Sequence, residues 1–574
     1  MMATAAEEIC PKRTISENTD TSVSFKTARK NQDRPWKLRL IYLQCYFLTI
    51  ATILGTGILG LPVTIARAGL EPFLISFLTG FLVQALLIYL FVDLLQRCRL
   101  AQLEAVKTAE TEIIFMEDVG SEEPPTLNTE EEEDGEEGEE ADMGLLQRDA
   151  TAQRQEEELQ PNLHMLGVLF LGKHTSRAFN FVLLFQFVSI GVSYVLAGSE
   201  AYAALFHTSH VYLIPAFTWT LSLGILLAQV IIQPIMSLLT LLKGILLVIT
   251  VVVTFVVGSE VHLETTNDFT QIGKPFLMGT VALGGIVNVM PFLFSEISHI
   301  KTQVLWFRRA ILGGLATCTL LNILWCLAVL EIVPQMAMES LLEERLLNSS
   351  AETTQPVHTF IYSNISLEES EKAGEIATIP LTKIITQRYS RFSWVAELIQ
   401  IFITISITVS FLVMGTAMKH TIDGLVSTHW AENAEWMAKI STRVFPHSAQ
   451  WRTLSQSLLH CKRFFGGFMS FLAFGLMFVV SACDPKGFVV MLDKVVSFSL
   501  NTEVGLFIFL MLRTSRSQRF KHLTVPLTVN ERLFRLHWLL PIYFLFAVAY
   551  DIFQSFLEIT ENMSHILHAN SSLL

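Results

Sequence analysis

The chain is 574 residues long, 51% hydrophobic and only 16% charged. A soluble chain of that length would fold as several domains with charged surfaces, so the composition excludes a soluble globular protein and describes a polytopic membrane protein with soluble segments. The net charge of −13 is local rather than global, because the run EEEEDGEEGEE, Glu130–Glu140, supplies most of it.

A membrane helix needs roughly 20 mostly apolar residues. Residues 1–38 are polar, lack the apolar core of a signal peptide and read as a disordered cytoplasmic tail. Apolar runs at 40–65 and 72–95 predict spans 1 and 2, within a membrane unit 39–99. Residues 100–162 carry the acidic run, which cannot bury a core, and read as a disordered cytoplasmic loop with a surface for a cytoplasmic partner. Spans 3 to 7 are predicted at 177–205, 212–233, 236–258, 274–297 and 308–333, within 163–333. Residues 334–391 form a lumenal or extracellular loop. Spans 8 to 11 follow at 393–417, 464–483, 487–512 and 535–558, within 392–558, and leave a tail at 559–574. Between spans 8 and 9, HWAENAEWMAKI has the pattern of an amphipathic helix lying at the interface.

The short-loop Lys/Arg bias sets the orientation. Lys37 and Arg39, Arg97 and Arg99, the loop HIKTQVLWFRR, Lys462 and Arg463, and RTSRSQRFKH all fall on one side if the N-terminus is cytoplasmic. The sequons at Asn348, Asn364, Asn562 and Asn570 then fall on the other, with Asn562 too close to the membrane for modification. The C-terminus is lumenal or extracellular. Leu145-Leu146, after acidic residues, resembles an endolysosomal sorting signal, which leaves plasma membrane and endolysosome as locations. The seven cysteines form no CxxC pair and no zinc spacing, so neither a metal nor a disulfide framework is expected.

Two spans carry helix breakers at their centres. In span 1, GTGILGLP places Gly55, Thr56, Gly57, Gly60 and Pro62 together. Two readings apply: a close-packing face of small residues, or unwound backbone whose amides suit a carboxylate. Span 6, LMGTVALGGIVNVMPFLFSEI, has Gly284-Gly285, Asn288 and Pro291. Paired interruptions at corresponding positions of two halves point to a transporter site, so spans 1–5 and 6–10 are read as inverted repeats with span 11 added. This favours the binding-site reading of Gly55–Gly57. Tyr194 in span 3 is placed to meet a ligand or to pack between helices. In span 8, Thr404 and Thr408 share a face and are candidates to ligate sodium with span 1 carbonyls, although such hydroxyls commonly bond their own helix. Lys243, Glu296, Asp493 and Asp551 are ionisable residues in or near spans. Glu296 and Asp493 are candidate proton carriers, whereas Lys243 is open to a snorkelling reading.

These residues resemble the amino acid/auxin permease family of the amino acid–polyamine–organocation superfamily. GTGILGLPVTIARAGLEP resembles its first-helix motif. VSYVLAGSEAY, PIMSLLTLLKGILLVITVVV and NVMPFLFSEISHIKTQVLWFRRAIL resemble its third, fifth and sixth helices. The resemblance implies a LeuT-like fold of eleven helices with discontinuous helices 1 and 6, and ion-coupled amino acid transport. Sodium-coupled members place an asparagine where this chain has Ala51, and proton-coupled members often have one where it has Ile53. Span 10 carries DKVV where the family often has a glycine pair. The coupling ion, proton or sodium, stays open.

The expected function is therefore secondary transport of an amino acid-like substrate, with Gly55, Thr56, Gly57, Tyr194, Gly284, Gly285 and Asn288 at the site and Thr404, Thr408 and Glu296 coupling an ion. The alternative is a transporter-like sensor or scaffold signalling through its cytoplasmic segments. No charge ring or filter suggests a channel. No nucleophile or metal constellation suggests an enzyme. Membrane lipid is the expected surround, and no nucleic-acid partner or cofactor is expected.

Overall fold

A helix that is apolar on every side must be covered on every side. Span 1 meets that description and lies at the centre of the bundle. The structure is a computed structural model that describes residues 35–119, 161–227, 229–261, 263, 265–336, 365–444, 450–483 and 491–571. It holds eleven helices long and apolar enough to cross a membrane: Leu38–Thr64, Leu70–Ala105, Lys173–Phe206, His210–Leu227, Ile235–Ser259, Gly273–Ser295, Lys301–Ile332, Ser393–His429, Phe464–Cys483, Lys494–Ser515 and Glu531–Leu557. Each matches one predicted span, and no strand occurs among the described residues. The chain is an all-α, multi-pass membrane protein.

Burial sorts the spans into a core and a rim. Span 1 is 94% buried inside the protein and span 6 is 83% buried, against 28% for spans 4, 9 and 11. Span 1 packs chiefly on span 7 and the first half of span 6, and also touches spans 5 and 8. Span 5 shows how a rim helix is patterned. Leu238, Leu241, Leu242, Ile245, Val248, Val252 and Val256 form an exposed apolar stripe. Met236, Thr240, Lys243, Leu247, Thr250, Thr254 and Val257 form the buried one, at the helical period.

Several segments read as loops continue helices. The helix of span 2 runs from Leu70 to Val119, so residues 100–119 of the predicted disordered loop are helical. The helix of span 8 runs from Ser393 to Val444, so HWAENAEWMAKI extends that span and is not a separate interfacial helix. The last helix, Leu539–Ser571, takes in most of the predicted C-terminal tail, Asn570 included. The acidic run, Leu145-Leu146, Asn348 and Asn364 lie outside the described residues.

Pro62 sits inside the span 1 helix. Proline has no N–H, so it leaves the carbonyl four residues back without its helical donor. That carbonyl belongs to Ile58, and the indole Nε1–H of Trp325 in span 7 donates to it at 2.9 Å. Trp325 is fully buried. Backbone inside a membrane protein must find such substitutes.

The two ends of the bundle are tied differently. At one end, the short helices Leu367–Ala373 and Thr378–Arg388 cover the finish of span 1. Ala377 N–H donates to Leu59 O at 3.2 Å. Arg67 and Lys372 both pair with Glu368, at 2.9 and 3.3 Å, and Lys274 pairs with Glu371. Burial opposes ionisation of Glu368, but the Lys372 hydrogen bond and the charges of Arg67 and Lys372 outweigh it and hold the carboxyl below its ordinary value. At the other end, buried Asp93 pairs with Arg97 at 3.1 Å and Arg516 at 3.2 Å, and Arg516 lies over the Phe534 ring. Gln96 exchanges two hydrogen bonds with the backbone of Leu527. Arg99 donates to Ile297 O at 2.8 Å. The basic loops after spans 2, 6 and 10 thus meet at one end, as the charge bias groups them.

His299, between spans 6 and 7, has both ring nitrogens buried without a hydrogen bond. Burial, then the Arg99 charge, push its pKa down to about 4.

Two predictions follow from these contacts. Trp325→Phe should cost about 1–3 kcal/mol, the penalty of an unsatisfied buried carbonyl, and less in a Pro62→Ala background, where the helical donor returns; thermal unfolding of the four proteins as a double-mutant cycle measures this. His299 folds neutral, so its share of stability is intact above its ordinary value of about 6.5. That share is lost as pH falls from about 6.5 toward about 4. At most about 3 kcal/mol is at stake. The melting temperature of wild type should therefore fall more steeply across that window than that of His299→Asn.

Candidate functional site

The centre of the bundle is organised by an ammonium group. Lys243 lies on the buried stripe of span 5 and is 0% exposed, so it does not snorkel. Its Nζ donates to Ala51 O at 2.8 Å, Ser410 Oγ at 3.0 Å and Ser406 O at 3.3 Å. Three donors thus meet three acceptors, none of them a carboxylate. Ser410 Oγ also donates to Ala51 O at 3.1 Å. Spans 1, 5 and 8 are joined through this one group.

Span 1 accepts these partners through its glycines, as a continuous helix. The expected unwinding at Gly55, Thr56 and Gly57 is absent, and residues Pro35–Thr64 are helical throughout. The glycines serve close approach. A Cβ on Gly55 would overlap Ser410 and lie 2.9 Å from the Tyr194 hydroxyl. A Cβ on Gly57 would lie 2.7 Å from Asn322 Oδ1. The packing-face reading of the motif is the one the structure supports, with the difference that the surfaces packed there are polar. Buried Tyr194 joins this centre from span 3, its hydroxyl lying with Ser410 against Gly55.

Span 6 is interrupted at one residue only, Gly285, whose φ of −56° and ψ of −18° stay right-handed helical, rather than unwound as expected. Its helix stops at Gly284, turns at Gly285 and resumes at Ile286. A Cβ on Gly284 would overlap Leu500 of span 10, and one on Gly285 would lie 3.7 Å from Thr52 of span 1. Asn288, just past the break, is 3% exposed, and neither atom of its amide has a hydrogen-bond partner. Asn322, against Gly57, is equally buried and equally unpartnered. Buried polar groups left unpaired are costly, which makes these two core carboxamides candidate ligand contacts.

The proposed ion ligands are not brought to span 1. Thr404 donates to Gln400 O at 2.8 Å and Thr408 to Thr404 O at 2.7 Å, each bonding its own helix. Thr408 also meets Tyr202 at 3.1 Å. The neighbouring face, Ser406 and Ser410, reaches span 1 instead. Glu296 caps the end of span 6 and is exposed. Asp493 precedes span 10, and Asp551 is buried in span 11.

Sequence reasoning missed Glu503. It is 0% exposed, within span 10, and Gln186 of span 3 lies beside it. The signal was present as the single acid inside the apolar run SFSLNTEVGLFIFLML. Sequence reasoning also passed over Asn322, a polar residue in an apolar helix. Among the described residues, no group of three or more His, Cys, Asp or Glu is placed to hold a metal. Comparison with protein-family models and with curated proteins returns no match.

Gly55→Ala should lower stability by about 1–3 kcal/mol through overpacking, and Gly55→Ala/Ser410→Gly should recover part of the loss. Thermal unfolding of purified protein measures both.

Proposed function

We propose that the chain is a secondary transporter of amino acids or related small zwitterions, related to the amino acid/auxin permeases, with spans 1–5 and 6–10 as inverted repeats that alternate access. The observation that carries this reading is the interrupted span 6 with the orphaned amide of Asn288 just past its break. An amide offers both a donor and an acceptor. Each of the amides of Asn288 and Asn322 can meet either a carboxylate or an ammonium. A break in a core helix gives the two halves of span 6 freedom to move separately, as alternating access requires.

Lys243 bears on the coupling ion. A sodium ion between spans 1 and 8 would be held by span 1 carbonyls and span 8 oxygens, and the ammonium already holds Ala51 O, Ser406 O and Ser410 Oγ. The reading is therefore of sodium-independent transport. The carboxylate role for the Gly55–Gly57 amides is not part of it, because those residues lie within a continuous helix.

The test is uptake of single amino acids into proteoliposomes holding the purified full chain. Replacing sodium by potassium should leave uptake unchanged. Asn288→Ala should weaken apparent affinity by about 10–100-fold, the equivalent of one hydrogen bond to a charged group, with an unchanged elution profile. Absence of substrate-dependent flux in folded protein would refute the reading.

A further inference from the structure

Glu503 is a carboxyl group buried in the middle of a membrane-spanning helix without a cation. It is 0% exposed, and neither carboxyl oxygen has a geometric hydrogen bond. The one group that acts on it is the Gln186 amide of span 3. Its own helix supplies Asn501 and Ser497, which bond each other at 3.1 Å. Span 11 meets this turn through Phe544 and Leu545, which lie against Gly505. Three ring side chains of span 11 face elsewhere: His537 stacks on Phe509 and Phe534, Tyr543 lies by Gly80, and Tyr550 lies by Gly273. No lysine, arginine, histidine or second carboxylate acts on Glu503 among the described residues.

An unpaired carboxylate in such surroundings is costly enough that the group takes a proton instead. Two further observations make this more than a structural glutamate. The backbone changes at Glu503 from an α-helix to a wide π-turn over Glu503–Ile508, a distortion frequent at functional sites. The turn just before it is fastened to the mobile element of the proposed mechanism. Asn501 Nδ2 donates to Thr280 Oγ1 of span 6 at 2.9 Å, and Leu500 packs on Gly284 at the break.

We propose that Glu503 is a proton-binding site, loaded in this conformation and unloaded when span 6 moves off span 10. A shift of the first half of span 6 breaks the Asn501–Thr280 bond and lifts Gly284 from Leu500, which lets water reach the carboxyl. The Oε–H bond then ionises and the proton passes to that water. The use of this proton as the coupling ion rests on the transport reading, whereas its presence on Glu503 does not.

Infrared difference spectroscopy of the full chain in lipid at neutral pH tests the site directly. Wild type should show the carbonyl stretch of a protonated carboxylic acid that Glu503→Gln lacks and that Glu503→Asp shifts in frequency. Glu503→Gln mimics the protonated form and should keep the wild-type melting temperature. Identical wild-type and Glu503→Gln spectra overturn the proposal. If Glu503→Gln does not fold, the proposal is also overturned, because the neutral amide would then fail to replace the neutral acid. In proteoliposomes, Glu503→Gln should keep amino acid exchange and lose accumulation driven by an inward proton gradient. Retained gradient-driven accumulation overturns the coupling role. A protonated Glu503 band in a chain with no flux for any amino acid refutes the transport reading alone.

Discussion

The Lys243 ammonium is the contact on which the central architecture depends. It is held by two backbone carbonyls and a hydroxyl drawn from two other spans. Taking an ammonium out of water costs several kcal/mol even after relaxation, and here no carboxylate offsets it. The remaining compensation is geometric: every N–H must meet an acceptor. Ala51 must therefore keep its carbonyl directed at span 5, and Gly55 must let Ser410 approach that same carbonyl. A leucine at 243 would pack without these constraints, and it would also leave the register of spans 1, 5 and 8 undetermined. The lysine makes one arrangement cheap and misaligned ones expensive.

Spans 1 and 6 both carry a proline and several glycines, yet the structure treats them differently. In span 1 the disturbance is closed. Trp325 supplies the donor that Pro62 lacks, Ala377 bonds the next carbonyl, and the glycines are filled by neighbours. In span 6 the helix stops and restarts, and Asn288 stays unpaired. Breakers in a sequence report that backbone groups need outside partners. They do not report whether the protein or a ligand provides them. A satisfied break is architecture, and an unsatisfied one is where a site is to be sought.

The same distinction explains what was legible in the sequence. The eleven spans follow from length and apolarity, which are local properties, and the structure recovers every one of them. The interruption at Gly284-Gly285 is local too. The role of GTG was not, because glycine permits both unwinding and close contact, and the choice depends on Ser410, Tyr194 and Asn322 from distant spans. Span 8 offered two hydroxyl pairs at the same spacing, Thr404/Thr408 and Ser406/Ser410. Nothing in the spacing says which faces span 1, and the lysine of span 5 decides it. Glu503 was readable as a lone acid in an apolar run. Asp493, the other acid near that run, lies just before the span begins.

Lys243 and Glu503 carry opposite ordinary charges, and the structure handles them in opposite ways. The lysine has as many acceptors as donors, all in place, so each of its N–H groups is held as long as spans 1 and 8 stay together. The glutamate has a single amide neighbour and a wall of apolar side chains, so its environment disfavours the ion for as long as spans 6 and 10 stay together. A fully partnered group and an unpartnered one suit different tasks. The first stands in for a bound cation and needs no gradient to fill it. The second changes occupancy only when the packing around it changes, which is the property that couples an ion to a conformational cycle. The interrupted span 6 lies against span 10 beside Glu503 and against span 1 at Thr52, so movement of its two halves reaches the unpartnered group while Lys243 keeps span 1 aligned with spans 5 and 8.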